Sequence, residues 1–399
     1  MGRRFGDQSR AYAKSHPWLT FTFRLDSLSH LDFVRIGEAL SKIDHVAAVP
    51  LAPAGAQKVH QIYLAKGVHA TTQIEGNTLS EDEVGARVRG ELTLPESQEY
   101  LGKEIDNIVA GCNRVVDDLY EGRDMHLTRA RIEEFNAQVL DGLPLKEGVV
   151  PGKIRAKSVV VGDGLYRGAP SEDCEFLLDQ LCAWLAALPA DAGPDWSRSV
   201  KLIRAILAHL YIAWIHPFGD GNGRTARLIE FQLLLEAGVP TPACQLLSNY
   251  YNRTRQLYYQ VLSETSRRAP YPVEKFVSYA IRGFVEELRE QLQEIQGHQL
   301  NMAWHHFVHD AELGKSADTV QRRRDLVIAL PKDPRTVTPI AKLRRLTTDL
   351  ALQYASKTPK TVTRDVNVLV QAGLLVRNGQ SVRPRIEAML SLLPLRGTP

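Results

Sequence analysis

Cysteine is scarce in this chain, with four among 399 residues and no C-x-x-C pair. Cys112, Cys174, Cys182 and Cys244 are scattered, a spacing that argues against a disulfide framework or a zinc ribbon. No uninterrupted apolar run approaches the roughly 18 residues that a membrane span needs. The opening arginine pair is not followed by an apolar segment, so neither a secretory nor a twin-arginine signal is expected, and position 6 is Gly6 where N-myristoylation wants Ser or Thr. These absences point to the cytoplasm and to no membrane partner. Internal repeats and low-complexity tracts are missing too.

Net charge is small, +3, in a chain that is 44% hydrophobic and 24% charged, ordinary values for a folded protein. The small total hides an asymmetry. From Lys315 to Arg385 there are 15 Lys or Arg against 5 Asp or Glu, an excess of +10, and the remainder of the chain is near −7. A basic C-terminal module on a mildly acidic body suggests a separate function facing polyanions.

Most of the chain reads as helix. Residues 19–26, LTFTFRLD, alternate as a strand would, and LSHLDFVRIGEALSKID then reads as a helix before the loop AAVPLAPAG. In AQKVHQIYLAKGVHATTQIEGNTLS, Val59, Ile62, Leu64 and Val68 follow helical spacing, Gly76-Asn77 supplies a stop, and Ser80 with Glu83 predicts a capping box. Residues 98–142 hold at least two further helices. KSVVVGDGLYR predicts a small hairpin turning at Gly162-Asp163-Gly164, and Ser171 is the expected cap of the next helix. Residues 198–215 carry Ile203, Ile206, Leu207, Leu210, Tyr211 and Trp214 as a core helix does.

That helix runs into HPFGDGNGRTAR, residues 216–227. A helix, a glycine-bearing loop and a second helix start form an anion-binding geometry, because the first backbone N–H groups of the second helix lack internal acceptors. Gly219, Gly221 and Gly223 let the backbone approach a ligand. Asp220 is a hard carboxylate suited to Mg²⁺. Arg224 and Arg227, three apart, share a helix face and can pair with phosphate oxygens. His216 has its ordinary pKa near neutrality and can take a proton from a hydroxyl. The segment is no EF-hand loop, since it turns cationic where further acids are needed, and it contains no G-K-[ST] of a Walker loop.

Residues 216–227 match the H-P-F-x-[DE]-G-N-G-R-x-x-R signature, and by it the chain resembles the Fic family over about residues 57–270. The resemblance implies a mainly α fold with a Fic-type helical core and a small β-hairpin flap. It implies transfer of AMP from ATP, with Mg²⁺, to a Ser, Thr or Tyr hydroxyl of a target protein and of the enzyme itself. Carried over by position, His216 is the base, Phe218 packs the loop, and Asp220 holds the metal. Gly221, Asn222 and Gly223 with Arg224, Thr225, Ala226 and Arg227 bind the ATP phosphates. The hairpin within 152–168 is the flap on which a target docks by strand addition. TTQIEGN at 71–77 matches the family's inhibitory [ST]-x-x-x-E-[GN] helix through Thr71, Glu75 and Gly76, with Glu75 expected to pair with Arg227. The same glutamate supports removal of AMP from a modified target in the family. LLSNYYNRTRQLYYQVLSE resembles the adenine-pocket helix, but Thr254 stands where relatives often have Asn, with Asn252 close by, so base contacts from Thr254, Tyr258 or Tyr259 stay open.

Residues 283–310 read as a connecting helix, on which His305 and His309, four apart, form a polar face. LTTDLALQYASKTPKTVTRDVNVLVQAGLLVRNGQSVRPR then resembles a winged helix-turn-helix, with Asn378-Gly379 as a hairpin signal. In its recognition helix Val362, Val366, Leu369 and Val370 face the core. Lys357, Lys360, Thr361, Thr363 and Arg364 face outward, toward DNA or a docked protein. The expected organisation is an N-terminal region 1–110 with the inhibitory helix at about 57–76, a catalytic core 111–282, connecting helices 283–330 and the winged module 331–399. Two other readings stand beside the adenylyltransferase. One is a DNA-binding regulator whose core binds nucleotide; the other is an enzyme of this type using another nucleotide or phosphate donor. Homo-oligomers are compatible with either.

Overall fold

In the longest segments, apolar residues recur at helical spacing, and the helices they form bury those faces in two separate cores. The structure is a computed structural model that describes residues 7, 9–49, 53–161, 166–188, 194–267, 269–333 and 335–390. The expected turn at Gly162-Asp163-Gly164, part of the loop AAVPLAPAG, and residues 1–6 at the start of the chain lie outside the described residues. The chain divides into two compact units at 293/294. Boundaries read from sequence at 110 and 282 fall inside the helices Glu99–Tyr120 and Val273–Asp310.

In the first unit we name the helices that build the site: α1 (Pro53–Ile74), α2 (Glu99–Tyr120), α3 (Arg129–Leu140), α4 (Pro194–Ile215), α5 (Asn222–Glu236), α6 (Leu246–Arg253) and α7 (Arg255–Arg267). Along α4, Leu202, Ile206, Leu207, Leu210, Tyr211 and Trp214 are all fully buried. Each such side chain contributes roughly 1.5–3 kcal/mol relative to leaving it in water, so α4 is the pillar on which the other helices pack. Ser80 and Glu83 form the expected capping box, which starts the helix Glu81–Val88. Ser171 does not cap: its hydroxyl donates to the Ala156 carbonyl at 3.1 Å, and a 3₁₀ turn, Ser171–Asp173, leads into the helix Cys174–Ala187.

Residues 19–26 are not a strand. Phe21 sits at φ 48° and buries its ring against Tyr211 at 5.1 Å and Trp184 at 6.0 Å. The alternation there reflects Leu19 and Phe21 plugging into the helical core without a partner strand. Strands β1 (Val160–Val161) and β2 (Tyr166–Arg167) pair antiparallel, Val160 opposite Arg167, as the expected flap hairpin.

The helix α8 (Val273–Asp310) supplies residues to both cores, Phe276 to Leu288 to the first and Trp304 and Val308 to the second. In the second unit follow α9 (Ala317–Ile328), β3 (Thr338–Pro339), α10 (Thr348–Tyr354), α11 (Pro359–Gln371), β4 (Leu375–Asn378) and β5 (Ser381–Pro384). The sheet order is β3-β5-β4, all antiparallel. Asn378 ends β4 opposite Ser381, so Gly379, at φ 58°, and Gln380 form the two-residue loop. α11 buries Val362, Val366 and Leu369, leaves Val370 half-buried, and is held from inside by Asp365. That carboxylate, 1% exposed, accepts from Arg322 Nε at 2.9 Å, Arg323 Nε at 2.7 Å and the Tyr354 hydroxyl at 2.9 Å. Burial works to raise its pKa, but these three donors outweigh it and hold the group below the usual carboxylate value.

Removing Asp365 strands two buried guanidiniums, a loss of about 3–5 kcal/mol. Asp365→Ala is therefore expected to speed hydrogen exchange across Pro359–Gln371 by orders of magnitude at pH 7, read by mass spectrometry. A depressed folded-state pKa means the stabilisation is present above the unfolded carboxylate range and lost as pH falls from there through the lower folded-state value, so the difference from wild type narrows in strong acid.

Candidate active site

The motif loop hangs between α4 and α5 and is tied down by side chains from three directions. His216, at the end of α4, takes a left-handed φ of 50°, a conformation that persists in a non-glycine residue only when its surroundings impose it. Arg155 imposes it. Its Nε donates to the His216 carbonyl at 2.7 Å, its Nη1 to the Lys157 carbonyl at 2.7 Å and its Nη2 to the Ala169 carbonyl, while its backbone N–H donates to Pro217 O at 3.0 Å. One guanidinium thereby joins the flap's base to the loop. Ile154 and Phe218 add an antiparallel bridge.

Phe218 is 1% exposed, as an anchoring ring should be. Its N–H donates to Asn222 Oδ1, and Asn222 Nδ2 donates back to its carbonyl, both at 2.9 Å. Asn136, from α3, donates to the Asp220 carbonyl at 2.9 Å and to Thr225 Oγ1 at 3.2 Å, and accepts from the Gly152 N–H at 2.9 Å. Gly221, at φ 74°, is the N-cap of α5, and the Thr225 N–H is the first to close onto the Gly221 carbonyl, at 2.8 Å. The N–H groups of Asn222, Gly223 and Arg224 precede that bond, which leaves the donor set of an anion cradle.

Glu75 sits in that cradle. α1 ends at Ile74, and Glu75 follows in a turn closed by Gly76 at φ 104°. A β-carbon on Gly223 would lie 2.2 Å from Glu75 Oε1, so the carboxylate occupies the space a side chain there would fill. Arg227, 4% exposed, donates from Nη2 to Glu75 Oε1 at 2.5 Å, from Nε to Thr71 Oγ1 at 2.6 Å and from Nη2 to the Thr71 carbonyl at 3.0 Å. Burial would raise the Glu75 pKa, but Arg227 and Arg224 beside it hold it below the usual value. Glu75 is thus paired with Arg227, as the resemblance implied, and Thr71 holds the same guanidinium.

Other expected site residues are placed differently. Arg224, expected as a phosphate clamp, is 6% exposed and engaged by Glu104 Oε1 at 2.7 Å and Asp220 Oδ1 at 2.9 Å. Burial pushes the Glu104 carboxyl up, against the pull of Arg224. Thr225 and Ala226 are fully buried inside α5, so their side chains do not face an anion. Tyr258 is 3% exposed with its hydroxyl on His209 Nε2 at 2.9 Å, and Thr254 Oγ1 is held by the Tyr250 carbonyl at 2.7 Å and the Tyr279 hydroxyl at 2.6 Å. Both turn to the core because α6 and α7 pack their aromatic face inward; Tyr259 alone of the three is half-buried without such a bond. His305 and His309 are exposed, and no group of three His, Cys, Asp or Glu fit to hold a metal occurs among the described residues.

His216 is half-buried, and desolvation pulls its pKa down to about 4 against the upward pull of a bond to Ala213 and of Glu75 and Asp220. At neutral pH the ring is uncharged and able to accept a proton. Sequence reading missed Arg155, Asn136, Glu104 and Arg255. Arg255 Nη2 donates to the Ile74 carbonyl at 2.6 Å and Nη1 to the Gln73 carbonyl at 3.3 Å, and Asn252 Nδ2 donates to Gln73 Oε1 at 2.6 Å. These close the open end of α1, where the last carbonyls have no helical partner. Only the basic run KIRAK hinted at any of the four.

A helix start with free backbone N–H groups, over which a carboxylate of the same chain is seated, is the candidate site that this helical scaffold presents. Residues 126–234 match the Fic/DOC family. The chain is 26% identical over 257 residues to "Protein adenylyltransferase Fic" of Culex quinquefasciatus, covering 63% of this chain and 47% of that protein. To the protein of the same name from Drosophila mojavensis it is 31% identical over 229 residues, 56% of this chain and 41% of the relative. The chain spans about half the length of the curated relatives it matches. In fold it is similar to a Fic family protein from Desulfovibrio desulfuricans G20, with a TM-score of 0.52 at 17% identity over 88% of this chain and 95% of that one. It is also similar to Fic-1 from C. elegans, with a TM-score of 0.53 at 20% identity over 67% and 73%. No helix among the described residues is long and apolar enough to cross a membrane.

Arg255 is exposed, so its bonds to α1 are worth roughly 1 kcal/mol. Arg255→Ala is expected to raise amide exchange across Thr71–Gly76 about fivefold while leaving α4 unchanged.

Proposed function

We propose that the protein is an adenylyltransferase that transfers AMP from ATP to a Ser, Thr or Tyr hydroxyl of a target protein and of itself, and that Glu75 holds it at rest. The single observation that carries this is the Glu75 carboxylate lying over Gly223 while paired to Arg227. A γ-phosphate and that carboxylate are both anions seeking the same guanidinium, so one must leave for the other to enter. With Glu75 displaced, Arg227 and the N–H groups of Asn222, Gly223 and Arg224 bind the phosphates and orient the α-phosphorus. The target hydroxyl attacks that phosphorus, its proton passes to His216, the bond to the bridging oxygen breaks, and pyrophosphate leaves.

Asp220 fits a Mg²⁺ ion that arrives with the nucleotide, since this ion takes one or two carboxylates and otherwise keeps phosphate oxygens and water. Its Oδ1 accepts from Arg224 and the Gly221 N–H, which leaves Oδ2 as the ligand atom. Bound there, the ion would neutralise charge on the departing pyrophosphate. Glu75, kept charged in the cradle, also suits the reverse task of AMP removal from a modified target.

Glu75→Gly should raise incorporation of label from ATP, with Mg²⁺, at least about tenfold, the effect of freeing ~1.4 kcal/mol of restraint. Adding His216→Ala should abolish it. With the His216 pKa at about 4, incorporation by Glu75→Gly should be flat from pH 6 to 8 instead of rising through the ordinary histidine range. Incorporation from another nucleotide in place of ATP would move the donor, and no incorporation from any would end the reading.

A second reading, DNA binding by the C-terminal unit, draws on α11. Lys357, Lys360 and Arg364 are exposed and Thr361 and Thr363 half-buried on the face opposite Val362, Val366 and Leu369. Lys360→Glu with Arg364→Glu should weaken binding to a duplex and lower the slope of log affinity against log salt by about one for each phosphate no longer neutralised. A protein partner instead would leave duplex binding absent in both proteins.

A further inference from the structure

We propose that the cleft between the end of α8 and α9 binds a phosphate dianion, free or as the terminal group of a nucleotide. The site lies wholly within the second unit and is independent of the transferase reading. His305, His306 and His309 of α8 and Gln321, Arg324 and Ile328 of α9 line a cavity of about 240 Å³. That is smaller than the roughly 300–1,000 Å³ of sites for drug-sized ligands, so the occupant is compact.

Helical periodicity builds the cluster. Trp304 and Val308 are fully buried in the second core, which turns the adjoining imidazoles of His305, His306 and His309 outward, all three exposed. On α9, Leu326 and Val327 are fully buried in the same core and fix the helix that carries Gln321, Arg324 and Ile328. Arg324 Nη2 donates to the His309 carbonyl, one of the last of α8 and without a helical partner, and this holds the guanidinium at the cleft. Its Nε is buried with no hydrogen-bond partner among the described residues, a charged donor that an anion oxygen satisfies.

Charge sets the class of occupant. No Asp or Glu lines the cavity, and the residues of this unit outside the described ones, 334 and 391–399, include neither. The adjoining acids are engaged elsewhere. Asp325 accepts from Gln321 Nε2 at 2.8 Å and from Gln353 Nε2 at 2.7 Å, and Asp310 Oδ1 lies 4.0 Å from His309 Nδ1, which leaves the other ring nitrogen to the cleft. A metal ion bound by these imidazoles would sit beside the Arg324 guanidinium, so the cluster suits an anion better than a cation. His305 is held below the ordinary histidine value by desolvation first, then by Lys332 and His306. A dianion among these groups relieves that repulsion, so it binds together with protons and more tightly as pH falls. The C-terminal end of α8 repels an anion weakly, and the Arg324 guanidinium on its last carbonyls opposes that effect.

The test titrates inorganic phosphate and AMP by calorimetry into the full chain at pH 7, and amide exchange read by mass spectrometry locates the binding. Phosphate should slow exchange across Trp304–Asp310. AMP acting alike assigns the site to a nucleotide's terminal group as well, and phosphate acting alone assigns it to the free ion. Sulfate, which stays a dianion, should bind at least about fivefold more tightly at pH 6 than at pH 8, because the slope then belongs to the imidazoles. His305→Gln with His306→Gln should flatten that slope and weaken phosphate about tenfold, with circular dichroism unchanged since both side chains are exposed. Arg324→Gln should weaken it by about as much. Exchange slowed only across 222–227 places the anion in the first unit's cradle and overturns the site. Phosphate binding that neither variant weakens overturns it too, as does Zn²⁺ bound through the histidines with phosphate left unbound.

Discussion

A guanidinium buried as deeply as that of Arg227 must be paired, because an uncompensated buried charge costs several kcal/mol. This requirement organises the first unit. Here the partners are Glu75 and Thr71, and to deliver them α1 must end within reach of the first turn of α5. Gly76 ends it, Arg255 closes its last carbonyls, Asn252 holds the Gln73 side chain, and Thr71 gives both its hydroxyl and its backbone oxygen to the same arginine. The pair therefore satisfies a stability demand and fills an anion site at once. Any ligand that takes Arg227 must supply negative charge of its own, as a triphosphate does.

The loop that forms the cradle is held independently of that pair. Arg155, Asn136 and Asn222 satisfy its carbonyls and N–H groups from the flap base, from α3 and from within the loop. The loop's own bonds thus do not depend on Glu75. Glu104 and Asp220 hold Arg224 in a second pair beside the first. The two arginines of the motif differ: one is opposed by the distant α1 and the other by neighbours that stay in place.

Much of this was legible in residue order. The twelve-residue motif has short-range geometry, and the capping box at Ser80 and the Thr71 to Glu75 spacing are local too, so pattern alone carried them. The strand expected at 19–26 failed because alternation there comes from two residues reaching a helical core. Base contacts from Thr254 and Tyr258 stayed open in the sequence, and packing explains where Tyr258 lies: an aromatic ring on a helix faces whatever is apolar, and here that is His209, Tyr251 and Phe276. Arg155, Asn136, Glu104 and Arg255 left almost no signal, since an isolated polar residue gives no period and its partners lie far away in sequence.

By itself the sequence determined the helical class, and it pointed to residues 216–227 as a candidate anion cradle and to Glu75 as its candidate restraint. These follow from local backbone chemistry, namely glycines where φ is positive, a helix start with free N–H groups, and side chains three or four apart on one face. Tertiary structure alone decided that the Glu75 carboxylate occupies the space over Gly223, that Arg224 is already paired, and that desolvation pulls the His216 pKa down. Each depends on segments far apart in the chain, or on how deeply packing buries a charge, and neither is written in spacing.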